Sequence, residues 1–207
     1  MQTDRPLLVI ATRNAHKSRE IREMIGDRYE VRDANDFPGL PEVEETGSSF
    51  LENATLKALA ISRLLPGLVL SDDSGLEVDA LNGAPGVWSS SFGGEEGNHT
   101  KNNARLMAEM AGQQERTARF RCTMVLAEGG VVLADFSGTV EGTILSEAHG
   151  AGGFGYDPLF APEGHERSFA ELGPEVKNAM SHRGRALALV REWLEANAAI
   201  RAREGTP

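Results

Sequence analysis

The sequence predicts an α/β protein whose mixed β-sheet bends into two lobes around a central cleft, and two observations lead to this fold class. The chain opens with a strand–helix–strand pattern, in which the apolar run 6–12 and a strand near 29–33 flank an amphipathic segment. Two long alternating segments, 116–127 and 131–142, flank a Glu-Gly-Gly turn, which is typical of an antiparallel hairpin. Parallel and antiparallel strands therefore share one sheet.

The helices are predicted from caps and apolar spacing. Asn14 is a suitable N-cap for the first helix, and Ser49 with Glu52 three residues later gives the second helix a capping-box pattern. Pro66-Gly67 is expected to end that second helix. The remaining predicted elements are a strand through 76–81, a helix over 100–110, a short strand after the glycine-rich loop 150–158, and helices from Pro174 onward, the strongest over 186–201.

Composition narrows the function class. The 207 residues predict a single domain over 1–207, and 31 acidic against 21 basic side chains give a net charge of −10. Such a balance argues against a nucleic-acid polymer as partner, because phosphate-backbone binding relies on Lys and Arg, but it permits one nucleotide in a local basic pocket. The single cysteine, Cys122, fits a reducing compartment, and no apolar run approaches a membrane span. We therefore expect a cytoplasmic protein without a membrane partner.

Two adjacent carboxylates, Asp72 and Asp73, follow the apolar run 67–70 and precede Ser74-Gly75. The pattern predicts a buried strand that carries them to its end and turns at Gly75. Adjacent carboxylates repel each other and are costly to desolvate, so a strand end that keeps them usually binds a cation or a proton. Mg²⁺ prefers one or two carboxylates together with substrate phosphates. The alternative is an ordinary acidic turn at the surface.

The first strand-to-helix turn is a candidate phosphate site. A helix N-terminus offers unpaired N–H groups and a positive dipole end, which favour anions. Many such turns carry a Thr or Asn cap for local reasons, so the pattern by itself is also compatible with a structural role. The turn consists of Thr12, Arg13, Asn14, Ala15, His16 and Lys17.

The glycine-rich loop that ends in Phe154-Gly155-Tyr156-Asp157 is a candidate base site. Its glycines let the backbone approach a ligand closely, and its two aromatic rings are able to stack on a base. Asp157 would then accept hydrogen bonds from the base edge. The alternative is a tight turn with Phe154 buried in the core.

The start of the last helix carries Lys177, His182 and Arg183, with Ser181 as a suitable N-cap. Cations in a first helical turn oppose the helix dipole, so their placement suggests a function. A bound anion or a base carbonyl would supply the missing partner.

Taken together, six motifs in this order resemble the inosine triphosphate pyrophosphatase family. The resemblance covers nearly the whole chain. The motifs are Thr12-Arg13-Asn14 with Lys17, Glu44-Glu45-Thr46-Gly47 with Glu52-Asn53-Ala54, Ser71 to Leu76, Gly83 to Gly86, Gly152 to Pro158, and Lys177 with Ser181 to Gly184.

The resemblance implies hydrolysis of non-standard purine nucleoside triphosphates (ITP, dITP and XTP) to the monophosphate and pyrophosphate, with Mg²⁺ as cofactor and a homodimer as the assembly. It implies that Asp73 is the general base and a metal ligand, that Ser74 contacts substrate, and that Glu44, or else the adjacent Glu45, is a second metal ligand. The turn 12–17 would hold phosphates. The base and the rest of the nucleotide would be held by Phe154, Gly155, Tyr156, Asp157, Lys177, His182 and Arg183.

Two positions depart from the family pattern. Arg13 stands where many members have glycine, and Ser91 stands where an arginine is common. The second departure motivates an alternative, a purine-nucleotide-binding sensor that has lost catalysis. A phosphatase that releases only the terminal phosphate is a further alternative.

Overall fold

The computed structural model describes residues 5–204, with side chains to residue 198. Within this range one mixed sheet has the strand order β2-β1-β3-β4-β5-β6, in which β1 is parallel to β2 and β3 and all later pairings are antiparallel. The strands are β1 (Leu7–Ile10), β2 (Glu30–Asp33), β3 (Leu68–Val78), β4 (Thr117–Glu128), β5 (Val131–Ile144) and β6 (Phe160–Pro162). The helices are α1 (Ala15–Ile25), α2 (Phe50–Ser62), α3 (His99–Glu109), α4 (Phe169–Leu172), α5 (Pro174–Met180) and α6 (His182–Glu204).

Two hydrophobic cores pack against different parts of the sheet, because its strands differ in length. β1 pairs with β3 only over Leu68–Leu70, after which β3 continues beside β4 to Val78. Near the parallel strands, α1 and α6 pack on a core that includes Ile10 and Met124. At the far end of the long antiparallel strands, a second core brings together side chains such as Leu76 and Phe120. The predicted α/β class and mixed sheet are confirmed.

The predicted turn at Gly75 is wrong, because β3 runs without interruption from Leu68 to Val78. Asp72 and Asp73 thus lie inside a strand, and the separate strand expected over 76–81 is the end of β3 followed by a short 3₁₀ turn at Asp79–Leu81. Gly75 is needed for close packing and not for a turn. A Cβ there would collide with the Gly86 carbonyl and the Ser89 hydroxyl, so the glycine permits close approach of a neighbouring segment.

Three expectations about the helices also need correction. α2 ends at Ser62, before Pro66-Gly67. Its capping box is only half formed: the Ser49 hydroxyl accepts from the Glu52 amide at 3.2 Å, but the Glu52 carboxylate accepts from the amide of Ser48 at 2.6 Å. The short helix α4, which follows Ser168, lies where only a loop was expected. None of the described helices is long and apolar enough to cross a membrane.

Candidate active site

A cleft of about 570 Å³ opens beside β3 at the point where β1 ends. Most of the candidate residues from the sequence line it. Two do not: Ala15 is the exposed first residue of α1, and His16 contacts the cleft through the rings of Phe154 and His99, which do line it. The candidates that line the cleft are Thr12, Arg13, Asn14, Lys17, Glu44, Asp73, Ser74, Phe154, Gly155, Tyr156, Asp157, Lys177, His182 and Arg183.

The turn before α1 is built by its own polar side chains. Asn14 caps the helix, because its Oδ1 accepts from the amides of His16 at 2.9 Å and Lys17 at 3.2 Å, and the Thr12 hydroxyl accepts from the Asn14 amide at 3.2 Å. The predicted cap is confirmed. The Arg13 guanidinium donates to the Leu40 carbonyl at 2.7 Å, so this residue ties the turn to the following loop.

Asp72 is the centre of a buried ion network. Its carboxylate accepts from the Lys17 ammonium at 2.5 Å and from Arg183 Nε at 3.0 Å, and the Ser74 hydroxyl donates to it at 3.1 Å. Burial opposes ionisation of Asp72, but the charges of Arg183 and Lys17 outweigh it and hold its pKa well below the ordinary value. Asp72 is therefore an ionised structural partner of the buried Arg183 and the partly buried Lys17.

Asp73 has an incomplete set of partners. Its Oδ1 lies 3.4 Å from Nζ of Lys57 on α2, and Lys57 also pairs with Glu45 at 2.7 Å. The Asp73 Oδ2 is buried and has no hydrogen-bond partner among the described residues. Burial raises the pKa of Asp73, and the nearby charges of Glu45 and Asp72 add to that effect against the attraction of Lys57. Its second oxygen is available to a ligand.

The two carboxylates face opposite sides of β3, because successive side chains of a strand alternate. Asp72 points toward α1 and α6, which carry Lys17 and Arg183, whereas Asp73 points toward α2, which carries Lys57. Asp73 lines the cleft and Asp72 does not. The pair is therefore not one two-carboxylate site.

The two aromatic rings of the glycine-rich loop take different positions. Phe154 is half-buried and lines the cleft, where its ring stacks on the His16 imidazole. Tyr156 is 3% exposed in the far core, and its hydroxyl donates to the Ser89 carbonyl at 2.8 Å. Phe154 is thus the ring of this loop that faces the cleft, whereas the Tyr156 ring belongs to the far core.

Asp157 and Lys177 form a buried pair at one wall of the cleft. Asp157 Oδ2 accepts from Lys177 Nζ at 2.6 Å and from the Phe154 amide at 2.8 Å, which fixes the glycine-rich loop. Lys177 also pairs with Glu20 at 2.8 Å, and Glu20 accepts from Arg183 at 2.6 Å. The basic start of α6, predicted to need an outside anion, thus finds carboxylates of this chain, Glu20 and Asp72.

His182 lies in the first turn of α6, where Ser181 accepts from the Gly184 amide at 3.1 Å as the predicted cap. Its imidazole stacks on Phe120 with ring centroids 4.9 Å apart, and its Nδ1 is buried without a partner among the described residues. Burial, together with the charges of Arg183 and Lys177, holds the pKa of His182 well below the ordinary value. The ring is therefore neutral at pH 7.

Comparisons with known proteins agree with this arrangement. A model of the Ham1 family matches residues 8–193. The chain belongs to the Ham1 family. The resemblance read from the six motifs is confirmed.

Curated relatives of this Ham1 chain cover almost its full length. It is 49% identical over 190 residues to a dITP/XTP pyrophosphatase of Desulforamulus reducens, covering 90% of this chain and 94% of the relative. It is 48% identical over 190 residues to a dITP/XTP pyrophosphatase of Geobacter sulfurreducens, covering 90% and 96%.

Solved structures confirm the Ham1 fold. The Ham1 protein of Staphylococcus aureus matches with a TM-score of 0.83 at 37% identity, covering 92% of this chain and 98% of that one. A HAM1 protein of Coxiella burnetii matches with a TM-score of 0.84 at 36% identity, covering 92% and 99%.

Sequence reasoning missed two charged residues that shape the Ham1 cleft, Lys57 and Glu20. Lys57 is 9% exposed and occupies a position on the buried stripe of α2, between Ala54 and Ile61. A lysine at an apolar position of an amphipathic helix was the signal that could have found it. Glu20 carried no comparable signal, because a partly exposed glutamate on α1 is ordinary in sequence.

The described side chains contain no ready-made cluster of three or more His, Cys, Asp or Glu that could hold a metal. Asp73 nevertheless fits a hard cation, because its Oδ2 is buried and none of the described side chains bonds to it. Mg²⁺ takes only one or two carboxylates when substrate phosphates supply the rest. Glu44 also lines the cleft and is exposed, while Glu45 is already paired with Lys57.

Proposed function

We propose that this Ham1 protein hydrolyses ITP, dITP and XTP to the nucleoside monophosphate and pyrophosphate, with Mg²⁺ as cofactor. The observation that carries the proposal is Asp73, a buried carboxylate that lines the cleft beside the Lys57 ammonium and has one oxygen without a partner among residues 5–198. The names of the relatives, dITP/XTP pyrophosphatases, agree with this substrate class.

The phosphates would lie at the start of α1. The turn 12–17 offers the positive dipole end of α1, and Lys17 and Lys57 lie at the cleft wall. The amides of Asn14, His16 and Lys17 already donate within the turn, so the dipole and the two ammonium groups supply the attraction. Asp73 and Glu44 would hold Mg²⁺, which when bound neutralises the triphosphate and orients it with the attacking water. Asp73 then accepts the proton of the water that attacks the α-phosphorus.

The base would lie at Phe154, near Lys177, His182 and Arg183. Hypoxanthine and xanthine present the O6 acceptor where adenine presents an amino donor. A site whose donors point at O6 leaves adenine unmatched, and an unmatched buried polar group discriminates strongly. Guanine also has O6, so its exclusion has to come from the 2-amino position.

One product assay on ITP with Mg²⁺ tests the proposal. We expect pyrophosphate and IMP, with far slower release from ATP and GTP, and equal rates on ITP, dITP, XTP, ATP and GTP would contradict the specificity. Orthophosphate with IDP would instead identify a phosphatase of the terminal phosphate.

A second candidate, a purine-nucleotide sensor, is favoured by one observation. Ser91 lines the cleft where an arginine is common in the family, so one cation that could assist turnover is missing. The sensor predicts tight ITP binding without release of pyrophosphate, which the same assay detects.

Assembly and location are part of the proposal. The family resemblance implies a homodimer, which sedimentation equilibrium of the purified chain would test. Because the substrates belong to the nucleotide pool, we expect the enzyme to act in the cytoplasm, without a nucleic-acid polymer or a membrane as partner.

A further inference from the structure

The ring of Phe154 is already covered in this structure. The His16 imidazole stacks on it with centroids 5.0 Å apart and an interplanar angle of 16°. Lys177 Nζ lies 4.6 Å from the ring centroid, Arg183 Cζ lies 5.8 Å away, and the His99 ring is tilted at 6.1 Å. A base that stacks on Phe154 therefore has to take the place of one of these neighbours.

The two cations among these neighbours cannot move freely. Lys177 is 4% exposed and held by Glu20 and Asp157, and Arg183 is 1% exposed and held by Glu20 and Asp72. Moving either one would leave buried charges unpaired, which costs several kcal/mol.

His16 differs from both cations. Its side chain is exposed, and its imidazole makes no hydrogen bond with the described residues. Its backbone amide, by contrast, donates to Asn14 Oδ1 at 2.9 Å, so the ring is able to swing away while the capped start of α1 stays in place. The His99 ring is tilted by 52° and lies 6.1 Å from Phe154, so His16 is the neighbour that stacks on the ring and leaves at little cost.

We propose that His16 is a displaceable cover of Phe154, so that the purine and the imidazole compete for the same ring. The proposal rests on the proposed function, in that it assumes that the base binds at Phe154. Stacked rings need centroid separations of about 4.5 Å or more each, and a base between His16 and Phe154 would require roughly twice the 5.0 Å observed. His16 therefore lowers affinity for the base without lowering affinity for the phosphates, and selects ligands whose ring stacks better than imidazole.

Equilibrium binding of the two reaction products separates the base from the phosphate part of the site. Calorimetric titration with IMP reports on base and phosphate together, and titration with pyrophosphate reports on phosphate alone. For His16→Ala we expect the ratio of IMP affinity to pyrophosphate affinity to rise by about two- to tenfold, the scale of one lost aromatic stack. For His16→Phe, which covers the ring more firmly, the ratio should fall.

His165→Ala is the matched control, because His165 is exposed and does not line the cleft, and it should leave the ratio unchanged. A ratio that stays constant in both His16 variants overturns the proposal. A ratio that falls in His16→Ala also overturns it, and would identify His16 as a second wall of the base site. Release of pyrophosphate from ITP by the unmodified enzyme is scored separately, so failure of the proposed function is distinguishable from failure of this inference.

Discussion

Asp72 and Asp73 are adjacent in sequence, but their carboxylates lie on opposite faces of β3 and have opposite environments. On one face Asp72 is fully paired, and Arg183 and Lys17 hold its pKa well below the ordinary value despite burial. On the other face one oxygen of Asp73 has no partner in the described part of the chain, and burial raises the pKa of this carboxyl. The strand pleat thus separates a carboxylate that stabilises the fold from one that is available for chemistry.

The contrast between the two aspartates shows how a fold remains stable while it keeps a buried carboxylate with incomplete pairing. The network of Asp72, Arg183, Glu20 and Lys177 joins β3 to α1, α5 and α6, the elements that surround the cleft. Asp73 lies on the other face of the same strand. The ion pairs of Asp72 therefore stabilise the strand that holds Asp73, and they offset the free energy that burial of the Asp73 carboxylate costs.

The largest expected effect is on turnover in Asp73→Asn. Loss of the general base should lower kcat by about 10²–10⁴-fold, while circular dichroism and the melting temperature remain those of a folded protein. The melting temperature should be unchanged or higher, because a buried carboxylate with a raised pKa is lost. A near-wild-type rate of pyrophosphate release would remove Asp73 from the role of base.

Asp72→Asn, unlike Asp73→Asn, should lower the stability of the fold. It leaves the buried Arg183 and the partly buried Lys17 without their shared carboxylate, which is expected to cost about 3–5 kcal/mol in the free energy of unfolding. Urea unfolding of Asp72→Asn and Asp73→Asn side by side measures the difference. Equal destabilisation of the two variants would mean that the faces of β3 are not distinct.

The pH dependence of stability gives a second test of the role of Asp72. Because the folded-state pKa of Asp72 is lowered, its stabilisation is present above the ordinary aspartate pKa of about 3.9 and is lost as the pH falls toward the folded value. Stability measured without metal should therefore decline more steeply below about pH 4 in the unmodified protein than in Asp72→Asn.

Lys57→Gln probes the other face of β3. The ammonium favours ionised Asp73, so its removal should raise the pKa of Asp73 further and move the acid limb of kcat/KM upward by about one pH unit or more. Lys101→Gln is a suitable control, since Lys101 is exposed, pairs with Glu95 and does not line the cleft. An unshifted acid limb in Lys57→Gln would show that Asp73 does not govern it.

The smallest expected effect is on the Mg²⁺ requirement, and it distinguishes Glu44 from Glu45. Glu44 lines the cleft without an ion pair among the described residues, whereas Glu45 is bound to Lys57, so Glu44→Gln should raise the Mg²⁺ concentration for half-maximal activity more, by roughly tenfold. Either change should alter the unfolding free energy by less than about 1 kcal/mol, because both side chains are largely exposed. A larger Mg²⁺ effect in Glu45→Gln would reverse the assignment.

Local signals predicted much of this molecule. The Asn14 cap, the hairpin at 128–130 and the start of α6 at Ser181 follow from short-range chemistry, and each was found as expected. The turn at Gly75 was not, because two aspartates, a serine and a glycine in succession resemble a turn in any local window. Pairing with β4 over the whole length of β3 overrides that preference.

The sequence by itself determined the elements, the mixed α/β class and the order of motifs that identifies the family, because caps, periodicity and turn residues act within a few positions of one another. The tertiary structure decided which carboxylate is open to a ligand, that Lys57 lines the cleft, that Glu20 holds the cleft residues Lys177 and Arg183, and that Phe154 is covered by His16. Those properties depend on which side of a strand or helix meets another element across the fold, and charge pairing and desolvation are set only once those surfaces are in contact.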